Sequence, residues 1–416
     1  MKKIVVEGGK ILSGNIEISG AKNSAVALLP AALLTDDTVE INNVPLISDI
    51  EAIKEILEYL GAKVIIKGHT IKINSKNVEN KIIPEELAKK LRASYYFIGS
   101  LLGKFKHAEM SFPGGCTIGA RPIDLHLKGF ELLGCSIEAQ DMNYLIKTEK
   151  LIGTSIDVKH SVGATINMLL ASVLATGTTI INNAAMEPEI GNVVEMLIGM
   201  GAKIDGKDTD KLIITGVNKL SGTTVSVIPD RIEAGTYLIA GAIAGNNLNI
   251  RNICVDHIIS LLDTLKQINV PYTINKNSIT ISKGVDLKPI NIKTDFYPGF
   301  PTDLQQPITT LLTLINGKST INETIYENRF KHIKYLNNMG ASIQIVDRTS
   351  IIAGSTALHG KKVIATDLRA GACMVLAGLI ADGKTEISEV NHILRGYENM
   401  IEKLQAVGAK IDIVEI

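Results

Sequence analysis

One short segment of the sequence holds several side chains that can do chemistry. Residues 113–126, PGGCTIGARPIDLH, supply a thiol, a guanidinium group, a carboxylate and an imidazole. The proline and glycines around Cys116 favour a surface loop, and the neighbouring Arg121 would lower the pKa of the thiol. We therefore predict that Cys116 serves as a proton donor, a nucleophile or part of a lid. The other cysteines are predicted to be small core residues: Cys135, Cys254 and Cys373.

The arginines of the chain are scarce, 8 against 35 lysines. This bias suggests that arginine stands where lysine cannot replace its planar, bidentate fork, which suits carboxylate and phosphate groups. Lys22 and Asp303 begin two apolar helical segments, and three arginines begin others: Arg92, Arg231 and Arg369. Three more arginines precede the next, amphipathic helix: Arg121, Arg329 and Arg395. Surface ion pairs explain any single arginine equally well. Because these arginines recur at corresponding positions of similar segments, we predict a site for a polyanionic small molecule, to which both domains contribute.

Asp303 lies in a proline-rich loop, YPGFPTDLQQP (297–307). A rigid loop beside a cationic cluster would hold its carboxylate as a general base. An aspartate at this position can also cap the N-terminus of the helix that follows, and the sequence leaves both roles open. Asp367, in ATDLRAG, has a similar position and the same two roles.

Composition excludes several classes of function. The chain has 43 basic and 43 acidic residues, so it carries no electrostatic footprint for nucleic acid or for an anionic membrane surface. The longest uncharged stretch, 161–186, is rich in Ser, Asn, Thr and Gly and predicts a buried helix and strand rather than a membrane span. MKKIVVEGGKIL shows no signal-peptide pattern, and the cysteine spacing predicts neither a metal site nor a disulfide. We expect a soluble, cytoplasmic protein without an obligate protein partner.

An internal repeat supplies the elements that must position these residues. Six segments, LEYLGAKV, FELLGCSI, LIGMGAKI, LKQINVPY, LNNMGASI and LQAVGAKI, recur at intervals close to seventy residues. Each predicts the end of an exposed helix with a left-handed cap, followed by a strand; the capping positions are Gly61, Gly134, Gly201, Asn269, Gly340 and Gly408. A helix that is apolar nearly all round precedes each copy and is expected to be buried. The unit is therefore strand, buried helix, strand, exposed helix, strand, strand, with three units in each of two α/β domains.

The repeat also accounts for one apparent nucleotide-binding motif. Residues 378–385, GLIADGKT, match the P-loop expression. A P-loop needs a strand before the glycines and a helix after them. Here the repeat predicts a helix before and a strand after, so we expect no nucleotide site at this turn.

Eight segments resemble the UDP-N-acetylglucosamine 1-carboxyvinyltransferase family of enolpyruvyl transferases. They are GAKNSA (20–25), PGGCTIGARPIDLH (113–126), SVGAT (161–165), PDRIEAGTY (229–237), PTDLQQ (301–306), ENRFKH (327–332), TDLRAG (366–371) and LRGYENM (394–400). The resemblance runs from end to end. It implies two inside-out α/β barrel (prism) domains, each of three βαβαββ repeats around buried helices. The first would span 22–229 and the second 1–21 with 230–416.

The resemblance implies a reaction that opens peptidoglycan precursor synthesis. Phosphoenolpyruvate would give its enolpyruvyl group to the 3-hydroxyl of UDP-N-acetylglucosamine, and phosphate would leave, by addition and elimination. Cys116 would be the catalytic acid and Asp303 the base, with Lys22 and Arg395 also catalytic. The phosphoenolpyruvate contacts would be Lys22, Asn23, Arg121, Arg329, Arg369 and Arg395. The sugar-nucleotide contacts would be Arg92, Arg121, Pro122, Ile123, Asp124, Leu125, Lys159, His160 (through its backbone at most), Ser161, Val162, Asp303 and Ile325, with Asp367 and Gly163 in support.

The resemblance implies no metal ion and no organic cofactor. Two alternatives remain at this point. One is an EPSP synthase, which shares the fold and the donor but accepts shikimate 3-phosphate. The other is a non-catalytic paralogue that binds UDP-sugars. Cys116 has no evident task in the first, and a sensor would not need Lys22, Cys116, Asp303 and Arg395 together.

Overall fold

The computed structural model describes residues 2–90, 92–111, 123–140 and 143–415, with the backbone alone at 92, 111 and 140. The described residues form two compact units. Unit 1 contains those of 2–19 and 229–415, and unit 2 contains those of 20–111 and 123–228.

The helices of the described residues are mostly two to four turns long. They are α1 Lys22–Ala31, α2 Ser48–Tyr59, α3 Glu85–Lys90, α4 Tyr96–Phe105, α5 Asp124–Leu132, α6 Val162–Ser172, α7 Pro188–Gly199, α8 Arg231–Ala244, α9 Ile259–Ile268, α10 Gln305–Leu312, α11 Ile333–Asn338, α12 Leu368–Ile380, α13 Asn391–Leu394 and α14 Met400–Ala406.

The strands are short, seven residues at most. In unit 2 they are β3 Thr38–Asn42, β4 Lys63–Lys67, β5 Thr70–Asn74, β6 His107–Ser111, β7 Ser136–Gln140, β8 Asn143–Lys147, β9 Ser155–Asp157, β10 Thr178–Asn182, β11 Lys203–Asp205, β12 Lys211–Thr215 and β13 Thr224–Ser226. In unit 1 they are β1 Lys2–Glu7, β2 Leu12–Glu17, β14 Gly245–Arg251, β15 Tyr272–Ile274, β16 Ser278–Ile281, β17 Asn291–Lys293, β18 Lys318–Asn322, β19 Ser342–Val346, β20 Thr349–Ala353, β21 Lys362–Ile364, β22 Lys384–Ser388 and β23 Lys410–Glu415.

The six predicted repeats are present as six small sheets in the described residues. In each, the first strand pairs in parallel with the second across a buried helix, as in β9 with β10 and β17 with β18. The fourth strand then lies antiparallel between the second and the third, as β20 does between β18 and β19. In the second repeat a parallel bridge from Ile83 to Met110 takes the place of the first strand. This is the predicted βαβαββ repeat.

Three of the repeats are completed by strands from distant parts of the chain. The repeat that begins at α1 receives its first strand from β13, which pairs with β3 through Val225 and Ile41. The repeat that begins at α8 takes β2 as its first strand. The last repeat takes β1 as its fourth strand, between β22 and β23. Each unit is thereby closed by a strand far away in sequence.

The core of each unit is built around three central helices. In unit 2, α4 packs against α1 and α6, and in unit 1, α8, α10 and α12 pack against one another. Every residue of α8 is buried. Burial of a helix on all sides is what an all-round apolar sequence predicts. The fold class that the sequence predicts is therefore confirmed.

One central helix departs from the predicted apolar pattern. Half of α10 consists of fully buried polar residues: Gln305, Gln306, Thr309 and Thr310. Thr309 donates to the carbonyl of Gln305 at 2.8 Å, so its hydroxyl is satisfied by the turn before it. Gln306 serves the candidate site described below.

The predicted left-handed caps are confirmed at all six positions. The φ angles are 102° at Gly61, 94° at Gly134, 100° at Gly201, 73° at Asn269, 113° at Gly340 and 101° at Gly408. Only glycine and asparagine adopt this conformation at low cost. These residues end the exposed helices and redirect the chain into the third strand of each repeat.

Three further predictions can be compared with the structure. Gly378 lies in α12 and Lys384 begins β22, so the P-loop match has the predicted helix-to-strand order. Cys135 and Cys373 are buried as predicted, but the prediction for Cys254 is wrong, because it is only half-buried. No helix in the part of the chain that the structure describes is long and apolar enough to cross a membrane.

Candidate active site

The centre of the candidate site in unit 1 is one carboxylate held by two guanidinium groups. Asp303 lies in a 3₁₀ turn, Thr302–Leu304, directly before α10. Arg329 Nη2 donates to its Oδ1 at 2.6 Å, and Arg369 donates to its Oδ2 from Nη2 at 2.9 Å and from Nε at 3.2 Å. The arginine side chains are 2% and 5% exposed, whereas Asp303 is 26% exposed. Asp303 is thus the most exposed of the three side chains.

The two arginines determine the charge state of Asp303. Burial acts to raise the pKa of Asp303, but the charges and hydrogen bonds of Arg369 and Arg329 outweigh it and hold that pKa far below its ordinary range. The Asp303 side chain makes no N-cap hydrogen bond. The alternative that Asp303 is a helix cap is therefore not what the structure shows.

Aromatic rings support the guanidinium groups of this cluster. Arg329 lies over the ring of Tyr326, with 5.2 Å from Cζ to the ring centroid, and Arg369 lies over Tyr397 at 5.3 Å. The hydroxyl of Tyr397 is 2.9 Å from Oγ1 of Thr236 on α8. A planar guanidinium stacks on such a face as an ammonium cannot. This contact explains why arginine, not lysine, occupies these positions.

The backbone around Asp303 is anchored by a fully buried glutamate. Glu323 Oε2 accepts from the hydroxyl of Thr302 at 2.9 Å. Its Oε1 accepts from the backbone N–H of Ile325 at 2.9 Å and of Tyr326 at 3.1 Å. Glu323 therefore fixes both the residue next to Asp303 and the loop that carries Ile325, a predicted sugar-nucleotide contact.

Asp367 is the N-cap of α12. Its Oδ1 accepts from the backbone N–H groups of Arg369 at 2.9 Å and Ala370 at 3.0 Å. Its Oδ2 accepts from Gln306 Nε2 at 3.2 Å, and the same nitrogen also donates to the carbonyl of Arg329. Asp367 thus holds the first turn of the helix that carries Arg369. Arg395 is half-buried at the C-terminal end of α13.

In unit 2, Lys22, which is predicted to bind an anion, is paired with a buried carboxylate. Lys22 is the first residue of α1, and its Nζ lies 2.8 Å from Oδ2 of Asp49 on α2. Asp49 is 4% exposed. Asn23 follows Lys22 on the same half-buried turn. The ion pair orients the ammonium group at the N-terminus of α1, where the helix dipole also favours an anion.

Three predicted sugar-nucleotide contacts line one cavity of about 410 Å³ in unit 2. Asp124 and Leu125 reach it from α5, and Lys159 reaches it from the turn after β9. Lys128 and Asp157 line the same cavity and were not predicted. The volume is within the range of small-molecule sites.

The turn that carries Lys159 has an uncommon backbone. Lys159 and His160 both have positive φ angles, 49° and 57°, a conformation that non-glycine residues adopt only when other contacts hold it. Asp157 Oδ1 provides one such contact by accepting from the Lys159 N–H at 3.0 Å. The His160 N–H donates to the carbonyl of Asn183 at 2.6 Å. Ser161 then caps α6 by accepting from Ala164 N–H at 3.3 Å, so Val162 is the first helical residue.

Gly163 makes room for a buried histidine. A methyl group at this position would approach His126 within 3.0 Å and the Tyr95 hydroxyl within 3.1 Å. His126 Nδ1 lies 2.8 Å from Nδ2 of Asn167, whose Oδ1 accepts from the backbone N–H of Gly99. Burial lowers the pKa of His126 to about 4, so the imidazole is neutral near pH 7.

Part of the predicted site lies outside the described residues. Cys116, Arg121 and Pro122 belong to this part, and Arg92 is described only by its backbone, at the start of a 3₁₀ turn before α4. Ile123 directly precedes α5 and is half-buried. In the rest of the chain, no three His, Cys, Asp or Glu side chains gather closely enough to hold a metal ion.

Comparisons with known proteins give a consistent result. A family model described as EPSP synthase (3-phosphoshikimate 1-carboxyvinyltransferase) matches residues 6–404. The UDP-N-acetylglucosamine 1-carboxyvinyltransferase 2 of Streptococcus pyogenes serotype M1 is 48% identical over 100% of both chains. The protein of the same name from Listeria monocytogenes serovar 1/2a is 48% identical over 98% of this chain and 97% of its own.

Two solved structures share the fold at lower sequence identity. The enolpyruvyl transferase NikO from Streptomyces tendae has a TM-score of 0.91 at 24% identity and covers 99% of each chain. EPSP synthase from Acinetobacter baumannii has a TM-score of 0.80 at 16% identity over 100% of each chain.

Proposed function

The chain belongs to the EPSP synthase family of enolpyruvyl transferases, and from this we propose that it makes an enolpyruvyl sugar nucleotide. The donor is phosphoenolpyruvate, and the acceptor is the 3-hydroxyl of UDP-N-acetylglucosamine. Inorganic phosphate is the second product. The reaction begins the synthesis of peptidoglycan precursors, in the cytoplasm and without a protein partner.

The proposed reaction has two stages. In the addition, a base takes the proton of the 3-hydroxyl while the oxygen attacks C2 of phosphoenolpyruvate, and an acid protonates the methylene carbon. In the elimination, C2 loses phosphate and the new methyl group gives up a proton, which restores the double bond. The hydroxyl proton leaves with the phosphate and the methyl proton restores the acid, so no further reactant is needed. The enzyme must supply an acid, a base and cations that stabilise the charge on carboxylate and phosphate.

The residues of unit 1 take the following parts. Asp303 is the base for the 3-hydroxyl, and Arg329 and Arg369 bind the carboxylate of the donor. The bidentate fork of a buried guanidinium is the preferred partner of a carboxylate. The observation that carries the proposal is that Arg329, from the same repeat as Asp303, and Arg369, from the next repeat, both donate hydrogen bonds to the Asp303 carboxylate. Arg395 binds the phosphate group, and the loop at Ile325 contacts the sugar nucleotide.

The remaining roles belong to residues of unit 2 and to residues that the structure does not describe. Lys22, Asn23 and Arg121 bind phosphoenolpyruvate, and Cys116 is the acid. The cavity at Asp124, Leu125 and Lys159 supports a role in sugar-nucleotide binding. The further proposed contacts of the sugar nucleotide are Arg92, Arg121, Pro122, Ile123, His160, Ser161 and Val162. The catalytic domains follow the sequence-based division, 22–229 and 1–21 with 230–416.

The test is to identify the product. The protein is incubated with phosphoenolpyruvate and UDP-N-acetylglucosamine, and the sugar nucleotide is examined by mass spectrometry and by carbon-13 NMR with labelled donor. The proposal predicts an enol ether at the 3-oxygen. Asp303→Ala should abolish its formation while sugar-nucleotide affinity stays within about tenfold, as expected for a group that acts in the transition state. A protein that binds both substrates but forms no enol ether would contradict the proposal.

A further inference from the structure

The arrangement of Asp303 raises a question about its role as base. A base must have an available lone pair and a pKa near that of its task. Both oxygens of Asp303 accept hydrogen bonds from buried guanidinium groups, and the carboxylate is stabilised in its charged form. In this arrangement Asp303 is a weak base. The two arginines proposed to bind the donor carboxylate already bind a carboxylate of the protein.

We propose that the carboxylate of phosphoenolpyruvate displaces Asp303 from Arg329 and Arg369, so that binding of the donor releases the base. This inference rests on the proposed function. It adds that Asp303 and the donor compete for the same two guanidinium groups, which couples donor binding to the activation of Asp303.

The exposure of the three side chains supports competition. Asp303 is 26% exposed, whereas Arg329 is 2% and Arg369 is 5% exposed. The arginines are therefore less accessible to solvent than Asp303. Because Asp303 occupies both Nε and Nη2 of Arg369, a second carboxylate can take this bidentate edge only when the aspartate leaves it.

One hydrogen-bond donor of the cluster is unused. Asp303 pairs with both arginines, and the charge of Asp230 also acts on Arg369. Arg329 gives Asp303 a single nitrogen, Nη2, and its buried Nε donates to no acceptor in the described chain. A buried guanidinium with an unused donor is costly. A ligand carboxylate that rearranges the cluster can relieve part of this cost.

The surroundings determine how Asp303 moves. Its backbone is fixed, because the neighbouring Thr302 binds Glu323 and the turn follows directly from Pro301. The arginines are fixed by the rings of Tyr326 and Tyr397. Release therefore takes place by rotation of the Asp303 side chain, while the guanidinium groups stay in position. Once released, the carboxylate loses its two cationic partners, and its pKa rises toward the ordinary value for aspartate.

The experiment measures donor affinity in a complex that cannot react. Phosphoenolpyruvate is titrated by calorimetry into protein saturated with the 3-deoxy analogue of UDP-N-acetylglucosamine, which lacks the attacking hydroxyl. Asp303→Asn keeps the shape of the side chain and removes its charge. Competition predicts that this variant binds phosphoenolpyruvate at least about fivefold more tightly than the wild type, the lower end of typical coupling between two sites. Equal or weaker binding would overturn the inference.

Two controls separate direct competition from a general change in charge. Asp367→Asn removes a nearby charge, but Asp367 contacts Arg369 only at its backbone N–H and not at its guanidinium group, so this variant should not tighten binding of phosphoenolpyruvate. Inorganic phosphate is the second probe, because it does not need the carboxylate-binding arginines. An equal gain in affinity for phosphate in Asp303→Asn would indicate a field effect and would overturn the proposal.

The experiment also separates failure of this inference from failure of the proposed function. A wild-type protein that forms the enol ether, together with an Asp303→Asn variant that does not gain affinity, leaves the proposed function in place and removes this inference alone. A wild-type protein that binds no phosphoenolpyruvate beside the sugar nucleotide overturns both.

Discussion

At the scale of single residues, the candidate site of unit 1 depends on one carboxylate that two buried guanidinium groups hold by hydrogen bonds. Asp303, Arg329 and Arg369 could be selected from residue type and from their place in the repeat. Asp303 accepts hydrogen bonds from Arg329, 26 residues away in the same repeat, and from Arg369 in the next repeat, and such contacts have no local sequence signal. Asp49, the partner of Lys22, was missed for the same reason.

Tyr397 makes another contact that the sequence does not predict. It follows Arg395 in a segment recognised by resemblance, but nothing in the sequence assigns it to Arg369. The structure places the two in contact, with the ring 1% exposed. From the proposed function we therefore predict that Tyr397 is a positioning residue, which acts on the donor through Arg369.

The contribution of the Tyr397 ring can be measured. Tyr397→Leu removes the aromatic face and should raise the KM for phosphoenolpyruvate about threefold to thirtyfold, the range of a cation–π contact, with a smaller change in kcat. Tyr397→Phe keeps the face and should restore part of the affinity, because the Tyr397 hydroxyl also accepts a hydrogen bond from Arg369. Steady-state kinetics with saturating UDP-N-acetylglucosamine give both constants. Loss of kcat alone, or no rescue by phenylalanine, would contradict the positioning role.

At the scale of elements, the sequence predicts the ends of helices well because the cause is local. A left-handed cap needs glycine or asparagine at one position, and all six predicted positions have positive φ. The polar residues of α10 are visible in its sequence, but the repeat pattern predicts an apolar helix there. The strands that complete distant repeats, such as β13 beside β3, depend on chain closure and have no local signal.

Gly201 allows the cap to be tested without side-chain clashes. Its φ is 100°, and a methyl group at this position would meet no atom within 4 Å. Gly201→Ala should therefore cost about 1 kcal/mol of unfolding free energy from backbone strain alone. Gly201→Asn should cost less, because asparagine tolerates this conformation. Urea denaturation measures both, and equal losses for the two variants would show that φ is not the cause.

At the scale of the whole molecule, each unit buries one neutral histidine. Burial lowers the pKa of His126 in unit 2 and of His332 in unit 1 to about 4. The unfolded chain binds these protons near the ordinary pKa of 6.5, so it takes up protons between pH 6.5 and 4 that the folded protein does not. The stability that the neutral rings provide is present above pH 6.5 and is lost as the pH falls toward 4.

Unfolding at several pH values tests this behaviour. The urea midpoint should fall between pH 7 and pH 5, with a loss on the order of 2 kcal/mol for each histidine at pH 5. His126→Gln and His332→Gln should each flatten the decline, whatever they cost at pH 7. The side chain of His359 is 56% exposed, and His359→Gln should leave the slope unchanged. If none of the variants alters the dependence of stability on pH, groups other than these histidines cause the loss of stability in acid.

The central claim is the identity of the acceptor, and phosphate release tests it most directly. The protein is supplied with phosphoenolpyruvate and either UDP-N-acetylglucosamine or shikimate 3-phosphate, and inorganic phosphate is measured. The account predicts release with the sugar nucleotide and none with shikimate 3-phosphate. Release with shikimate 3-phosphate alone would keep the fold and the donor but contradict the acceptor. Release with neither would contradict the proposed enzyme.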